Sequence, residues 1–236
     1  MTTTALITGA TQGLGAETAA QLARRGWTVW LGARDTAAGE AVAATIRGDS
    51  PDADVRVLAI DVTDDRSVGA ALVEVSAAGA IDVLVNNAGV GGEPVAPAET
   101  TADDVAPVFE VNVLGAVRVT HAFLPLLRRS ERPRLVMVSS SMGSFATIES
   151  RDPQAAIAWG MVYPASKAAL NMVTTLYAKA LPDVRVTAVA PGFTATNLNG
   201  FTGTQTVAEG AETIVAACVA DALPATFVSR TGVQPW

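Results

Sequence analysis

Cysteine and histidine are nearly missing from this chain. Among 236 residues there is one of each, Cys218 and His121. A lone cysteine excludes an internal disulfide, and the two residues together are too few for a Cys/His metal centre. Lysine is almost as scarce, with only Lys167 and Lys179, because nearly all the basic residues are arginine. Tyrosine also occurs only twice, at Tyr163 and Tyr177. An excess of positive charge is lacking too. The formal net charge of −7 argues against a nucleic-acid or membrane-surface partner, both of which need a basic face. No apolar run approaches the roughly 20 residues of a membrane span. The opening MTTTALITGA has no basic region followed by an apolar run and a cleavage site. These absences lead us to expect a soluble, cytoplasmic protein with no bound metal.

What the chain does have is apolar residues, 50% of the total. A chain of this length buries a core without metals or disulfides. Short apolar runs alternate with helical patterns, which indicates a parallel sheet with helices on both faces. The expectation is α/β, a single Rossmann-type doubly wound domain over residues 1–236 with about seven strands. Strands are read at Ala5–Ile7, Thr28–Leu31, Val55–Ile60, Val83–Val85, Leu135–Val138, Val184–Val189 and Thr226–Val228. Helices are read at Gly13–Arg25, Ala37–Ile46, Asp65–Ala77, Asp104–Leu127, Tyr163–Leu181 and Val207–Val219. Two segments, 144–160 and 192–206, look irregular. Both follow strands, so both should border the crevice at the strands' carboxyl ends, where such folds bind ligands.

The first strand runs into Thr8-Gly9-Ala10-Thr11-Gln12-Gly13-Leu14-Gly15 and then a helix. Glycines there allow a tight turn and a close backbone approach to a pyrophosphate, whose charge meets the helix N-terminus. After the second strand comes Ala33-Arg34-Asp35. Alanine stands where an NAD site usually offers an acid to the ribose, and Arg34 suits the 2′-phosphate of NADP. A one-residue shift would present Asp35 to the ribose instead.

The scarce residues meet in Val162-Tyr163-Pro164-Ala165-Ser166-Lys167. Tyr163 and Lys167 are four apart and so share one helix face. Pro164 suits a first helical turn, which puts Tyr163 where the helix dipole favours a phenolate. A cation close by lowers a phenol pKa below its usual value near 10.

In this order the chain carries TGATQGLG, Asn86-Asn87-Ala88-Gly89, Asn112, a serine run before Gly143, Tyr163-x-x-x-Lys167 and Pro191-Gly192. The set resembles the short-chain dehydrogenase/reductase family along nearly the whole length. Its ARDTAAGE segment and its ending are similar to the NADPH-using, carbonyl-reductase-type members. The resemblance implies NADP(H) as cofactor and a small carbonyl or alcohol as substrate. It implies that Tyr163 supplies the proton and that Lys167 acts electrostatically and binds the nicotinamide ribose. Ser140, three residues before Gly143, would hold the substrate oxygen, and Asn112 would have a structural and proton-relay role. Asn86, Ala88 and Gly89 would line the cofactor and steady the central sheet, and Asn87 would bind the cofactor too. Asp61 and Val62 would flank the adenine, and Pro191, Gly192, Thr194 and Thr196 would hold the carboxamide. Phe145, Trp159, Met161, Phe193, Leu198 and Phe201 suggest an apolar wall and an uncharged, fairly hydrophobic ketone or aldehyde. The alternatives are a pathway-specific biosynthetic ketoreductase and a nucleotide-sensing binding protein on the same fold. Assembly through the two long helices and a monomeric state both stay open.

Overall fold

The computed structural model describes residues 2–152, 157–220 and 227–236. Seven parallel strands and one antiparallel strand form a single sheet. They are β1 (Thr4–Ile7), β2 (Thr28–Ala33), β3 (Val55–Ala59), β4 (Val83–Asn86), β5 (Arg134–Val138), β6 (Arg185–Ala190), β7 (Phe227–Ser229) and β8 (Gly232–Val233). The order is β3-β2-β1-β4-β5-β6-β7-β8, with only β8 antiparallel to its neighbour. The doubly wound expectation therefore holds, with a two-residue edge strand added to the seven. Thr226 of the last expected strand lies outside the described residues, as do residues 153–156 of the segment before Tyr163.

Alternate residues of each central strand enter different cores. Ala5, Ile7, Val83, Val85, Val136 and Val138 face one cluster, while Leu6, Leu84, Leu135 and Met137 face the other. This is why the strands read as continuous apolar runs rather than alternating ones. One face is covered by α1 (Gly13–Ala23), α2 (Thr36–Asp49) and α8 (Val207–Val219). The other carries α3 (Asp65–Ala78), α5 (Ala116–Leu127) and α7 (Val162–Ala180). The long helix expected at Asp104–Leu127 is a composite. It begins as α4 (Ala102–Phe109), widens into a π-helical turn at Glu110–Gly115 and continues as α5. Among its described residues, the irregular stretch before Tyr163 includes the short helix α6 (Phe145–Glu149).

The chain reverses between β1 and β4, which are sheet neighbours although α1 to α3 intervene. Ligand crevices in open α/β sheets lie at such a switch point, outside the carboxyl ends of the strands. No helix among the described residues is long and apolar enough to cross a membrane.

Candidate active site

The glycine turn after β1 is folded too tightly for larger residues. Gly9 has φ +62, and a Cβ there would lie 2.8 Å from the Ala88 Cα. A Cβ on Gly15 would meet Asn87 Nδ2 at 2.5 Å. Asn87 stitches the turn to the end of β4, donating to Thr8 O at 2.9 Å and Gly9 O at 3.0 Å. Its backbone N–H and that of Ala88 both donate to Thr8 Oγ1. Gln12 precedes α1 in an extended conformation, and its side chain does not cap the helix. The first-turn N–H groups of α1 are thus left to meet an anion. Thr11, Gly13 and Leu14 complete this turn, and Leu14 also reaches down to the core.

Asp35 is the N-cap of α2, its carboxylate accepting from Ala37 N at 2.9 Å and Ala38 N at 3.1 Å. The cap engages one oxygen of Asp35, and the exposed Arg34 stands beside it just after β2. Arg34 lies close enough to Asp61 to help hold its carboxyl below the usual range. The larger causes are hydrogen bonds from the Thr63 backbone and hydroxyl. Val62 is buried against Gly115, where a Cβ would come within 2.8 Å of Val62 Cγ2.

The serine run sorts itself by hydrogen bonding. Ser139 is buried and bonds into the core at Asn171 Oδ1. Ser140 Oγ accepts from Met142 N at 3.1 Å and lies close enough to the Tyr163 hydroxyl to favour its ionised form. Ser141 starts a single 3-10 turn ending at Gly143. A Cβ on Gly143 would lie 2.5 Å from the Lys167 carbonyl carbon, so only glycine lets the serine loop press on α7. Asn171 Nδ2 reinforces the contact by donating to Gly143 O at 3.0 Å.

Tyr163 and Lys167 sit in the first turns of α7, as expected, with Pro164 between them in the first turn. Lys167 Nζ lies 5.7 Å from the Tyr163 ring centroid and donates to Val138 O at 2.9 Å. Both side chains are buried, and the direction of the tyrosine's titration departs from the sequence expectation. Burial pushes the Tyr163 phenol up to about 12, opposed by the Ser140 hydroxyl. Burial also pulls Lys167 down to about 8. In both groups the loss of hydration is the largest cause of the shift. Near neutral pH that leaves a protonated phenol beside an ammonium still mostly charged.

Asn112 lies in the π turn. Its Oδ1 accepts from Val90 N at 2.8 Å, and its Nδ2 donates to Val90 O and to Ser166 Oγ, each at 2.9 Å. Ser166 in turn donates to Tyr163 O at 2.8 Å. Asn112 therefore ties the loop after β4 to the start of α7. Gly89 lies between Asn112 and Lys167, where a Cβ would come within 3.3 Å of Asn112 Oδ1 and 3.5 Å of Lys167 Nζ. Asn86 serves the sheet, as half of its expectation had it. It is buried at the end of β4, donating to Thr120 Oγ1 and the Met137 sulfur.

The 191–206 segment arches over the crevice. Gly192 has φ +94, and Gln205 fills the space beside it. Gln205 Nε2 donates to Pro191 O and, at 3.0 Å, to Thr194 Oγ1. Thr196 lies against Gly13, Asn197 donates to Gln12 Oε1 and Leu198 covers Gly91. Of the expected apolar wall, Trp159 and Phe193 come together with Tyr163, while Phe145 and Phe201 are exposed. Gln205, Ser166 and Asn171 were missed by sequence reasoning. Each acts through a distant loop or a helix face, with no local pattern to mark it.

The pattern of the short chain dehydrogenase family matches residues 3–206. Short-chain dehydrogenase anuI of Penicillium roqueforti is 36% identical over 220 residues, covering 90% of this chain and 86% of its own. The (+)-neomenthol dehydrogenase of Arabidopsis thaliana is 31% identical over 265 residues, covering 89% of each. Among solved structures, an alcohol dehydrogenase from the archaeon Thermococcus sibiricus, complexed with 5-hydroxy-NADP, is 26% identical. It superposes with a TM-score of 0.83 over 97% of this chain and 96% of its own.

Proposed function

The chain belongs to the short-chain dehydrogenase/reductase family of oxidoreductases, and on that premise we propose an NADPH-dependent carbonyl reductase, reversible as an alcohol dehydrogenase. The observation that carries this reading is the cluster of Ser140, Tyr163 and Lys167 at the carboxyl end of β5, with the Lys167 ammonium 5.7 Å from the centroid of the phenol ring.

The glycine turn fits a dinucleotide, since Gly9 and Gly15 let it fold tightly against Ala88 and Asn87 and lead its backbone into the N-terminus of α1, where phosphates would sit. Gly9 and Thr11 to Gly15 would hold the pyrophosphate, and Arg34 the 2′-phosphate. Asp61 and Val62 would flank the adenine, Asn87, Ala88 and Gly89 would line the cofactor between its two ends, and Pro191, Gly192, Thr194 and Thr196 would hold the carboxamide. The exposed Arg34 beside the capping Asp35 and the 5-hydroxy-NADP of the Thermococcus protein both favour NADP over NAD. When bound, the cofactor supplies the hydride.

The remaining work falls to side chains of one domain. Tyr163 donates its hydroxyl proton to the carbonyl oxygen, so the product is the alcohol. Ser140 hydrogen-bonds that oxygen while its charge develops. Lys167 and the α7 N-terminus stabilise the phenolate left behind, offsetting the burial that raises it. Asn112, through Ser166, fixes the α7 end that carries Tyr163. Trp159 and Phe193 favour an uncharged, fairly hydrophobic substrate.

The test is the decay of NADPH absorbance with a panel of aromatic and aliphatic ketones, repeated with NADH. Turnover with preference for NADPH is expected. Tight NADPH binding with no turnover of any carbonyl would overturn the proposal.

A further inference from the structure

Trp159 lies one helical turn ahead of Tyr163, just outside α7, and its place is over-determined. Its ring centroid is 5.8 Å from that of Tyr163, tilted by 38°. It is 6.2 Å from that of Phe193, edge to face at 86°. The next residue, Gly160, has φ +62, a conformation that strains any residue with a Cβ. A Cβ there would also lie 2.7 Å from Val95 O. The loop after β4 therefore presses on Gly160 from one side while the two rings hold the indole from the other. Trp159 is only partly buried, so some indole surface remains open. Phe193 is 44% exposed and belongs to the segment that Gln205 clamps. The indole thus bridges the tyrosine helix and the loop arching over the crevice.

Resting on the carbonyl-reductase reading, we infer that Trp159 is a specificity-determining residue that selects carbonyls bearing a flat aryl substituent. A substrate whose oxygen reaches the Tyr163 hydroxyl must lay one substituent near the indole. A planar ring can stack or meet it edge-on, whereas a flexible alkyl chain gains area but loses rotamer freedom. Phe193 gives the same substituent a second aromatic edge.

The experiment compares kcat/KM for acetophenone and methyl hexyl ketone, equal in carbon count, in the wild type, Trp159→Ala and Trp159→Phe, with NADPH. The wild type should favour the aryl ketone. Trp159→Ala should lower kcat/KM for acetophenone about tenfold while changing the alkyl ketone no more than about threefold, the scale of one lost aromatic contact. Trp159→Phe should restore most of the ratio. Equal losses on both ketones would show a merely structural role and overturn the inference while leaving carbonyl reduction standing. A wild type inert toward every ketone would overturn the reduction reading, and this inference with it. Calorimetric titration of acetophenone in the presence of NADP+, two oxidised partners that cannot react, gives a readout apart from turnover. Affinity unchanged by Trp159→Ala would also count against the platform.

Discussion

Tyr163 and Lys167, at one end of the crevice, are 9% and 4% exposed, while Arg34, at the other, stands in solvent. The buried pair is held by Ser140, Val138 and the Asn112–Ser166 link. Around Arg34, the nearby Asp35 caps a helix and Asp61 accepts from Thr63. Charges in a dry site act strongly, and their geometry must be fixed. A charge in water is screened and acts weakly at a distance. One end should therefore respond to single atoms and to pH, and the other to ionic strength.

The largest effect expected from this contrast belongs to Tyr163→Phe. It removes one oxygen from the dry end and should cut turnover by about 10²–10⁴-fold, the usual weight of general acid catalysis. NADPH affinity, followed by fluorescence titration, should stay close to that of the wild type. Substantial carbonyl reduction by the variant would remove the phenol from the chemistry.

Arg34→Ala acts on the wet end and should be milder. It should lower the NADPH-over-NADH ratio of kcat/KM by about tenfold, as for one charge-assisted contact. The wild-type ratio itself should shrink as salt rises from low to high, and that of the variant should not. A variant that keeps its full preference for NADPH would mean that another group reads the 2′-phosphate.

The smallest expected effect is on the stability of the cofactor-free protein. Lys167 falls from an ordinary 10.5 to about 8 on folding. Between those values the unfolded chain holds the extra proton, so stability rises with pH through that window. Tyr163 rises from 10.0 to about 12. Between those values the folded chain holds the proton, and stability falls with pH. Against Lys167→Met, the wild type should gain roughly 1–3 kcal/mol between pH 8 and 10 in melts across pH. Parallel melting curves for the two proteins would show that the ammonium is not desolvated.

Much of this was legible in the sequence because it rests on local pattern. The helix at Val207–Val219 was read at both ends, and Tyr163, Pro164 and Lys167 fell where the helical period and the proline put them. Asp35 was readable too, since an aspartate before a helical run is a common N-cap, but the ribose competed for it. The remainder depends on distant packing. The phenol's upward shift comes from burial, which spacing alone does not report. Asn86 bonds to Thr120 and Met137, both far off in sequence. Gln205 holds Pro191 from across a loop.

The π turn at Glu110–Gly115 sets a rule for changes of length. Each residue of an α-helix turns the chain by about 100°, and a π turn carries one residue more than the regular ladder needs. Deleting one residue here would let α4 and α5 merge into a single regular helix. The helix on the α4 side of the deletion would turn by about 100° relative to α5, taking Asn112 away from Val90 and Ser166. This stretch should accept changes of residue at its exposed positions far more readily than a change in their number.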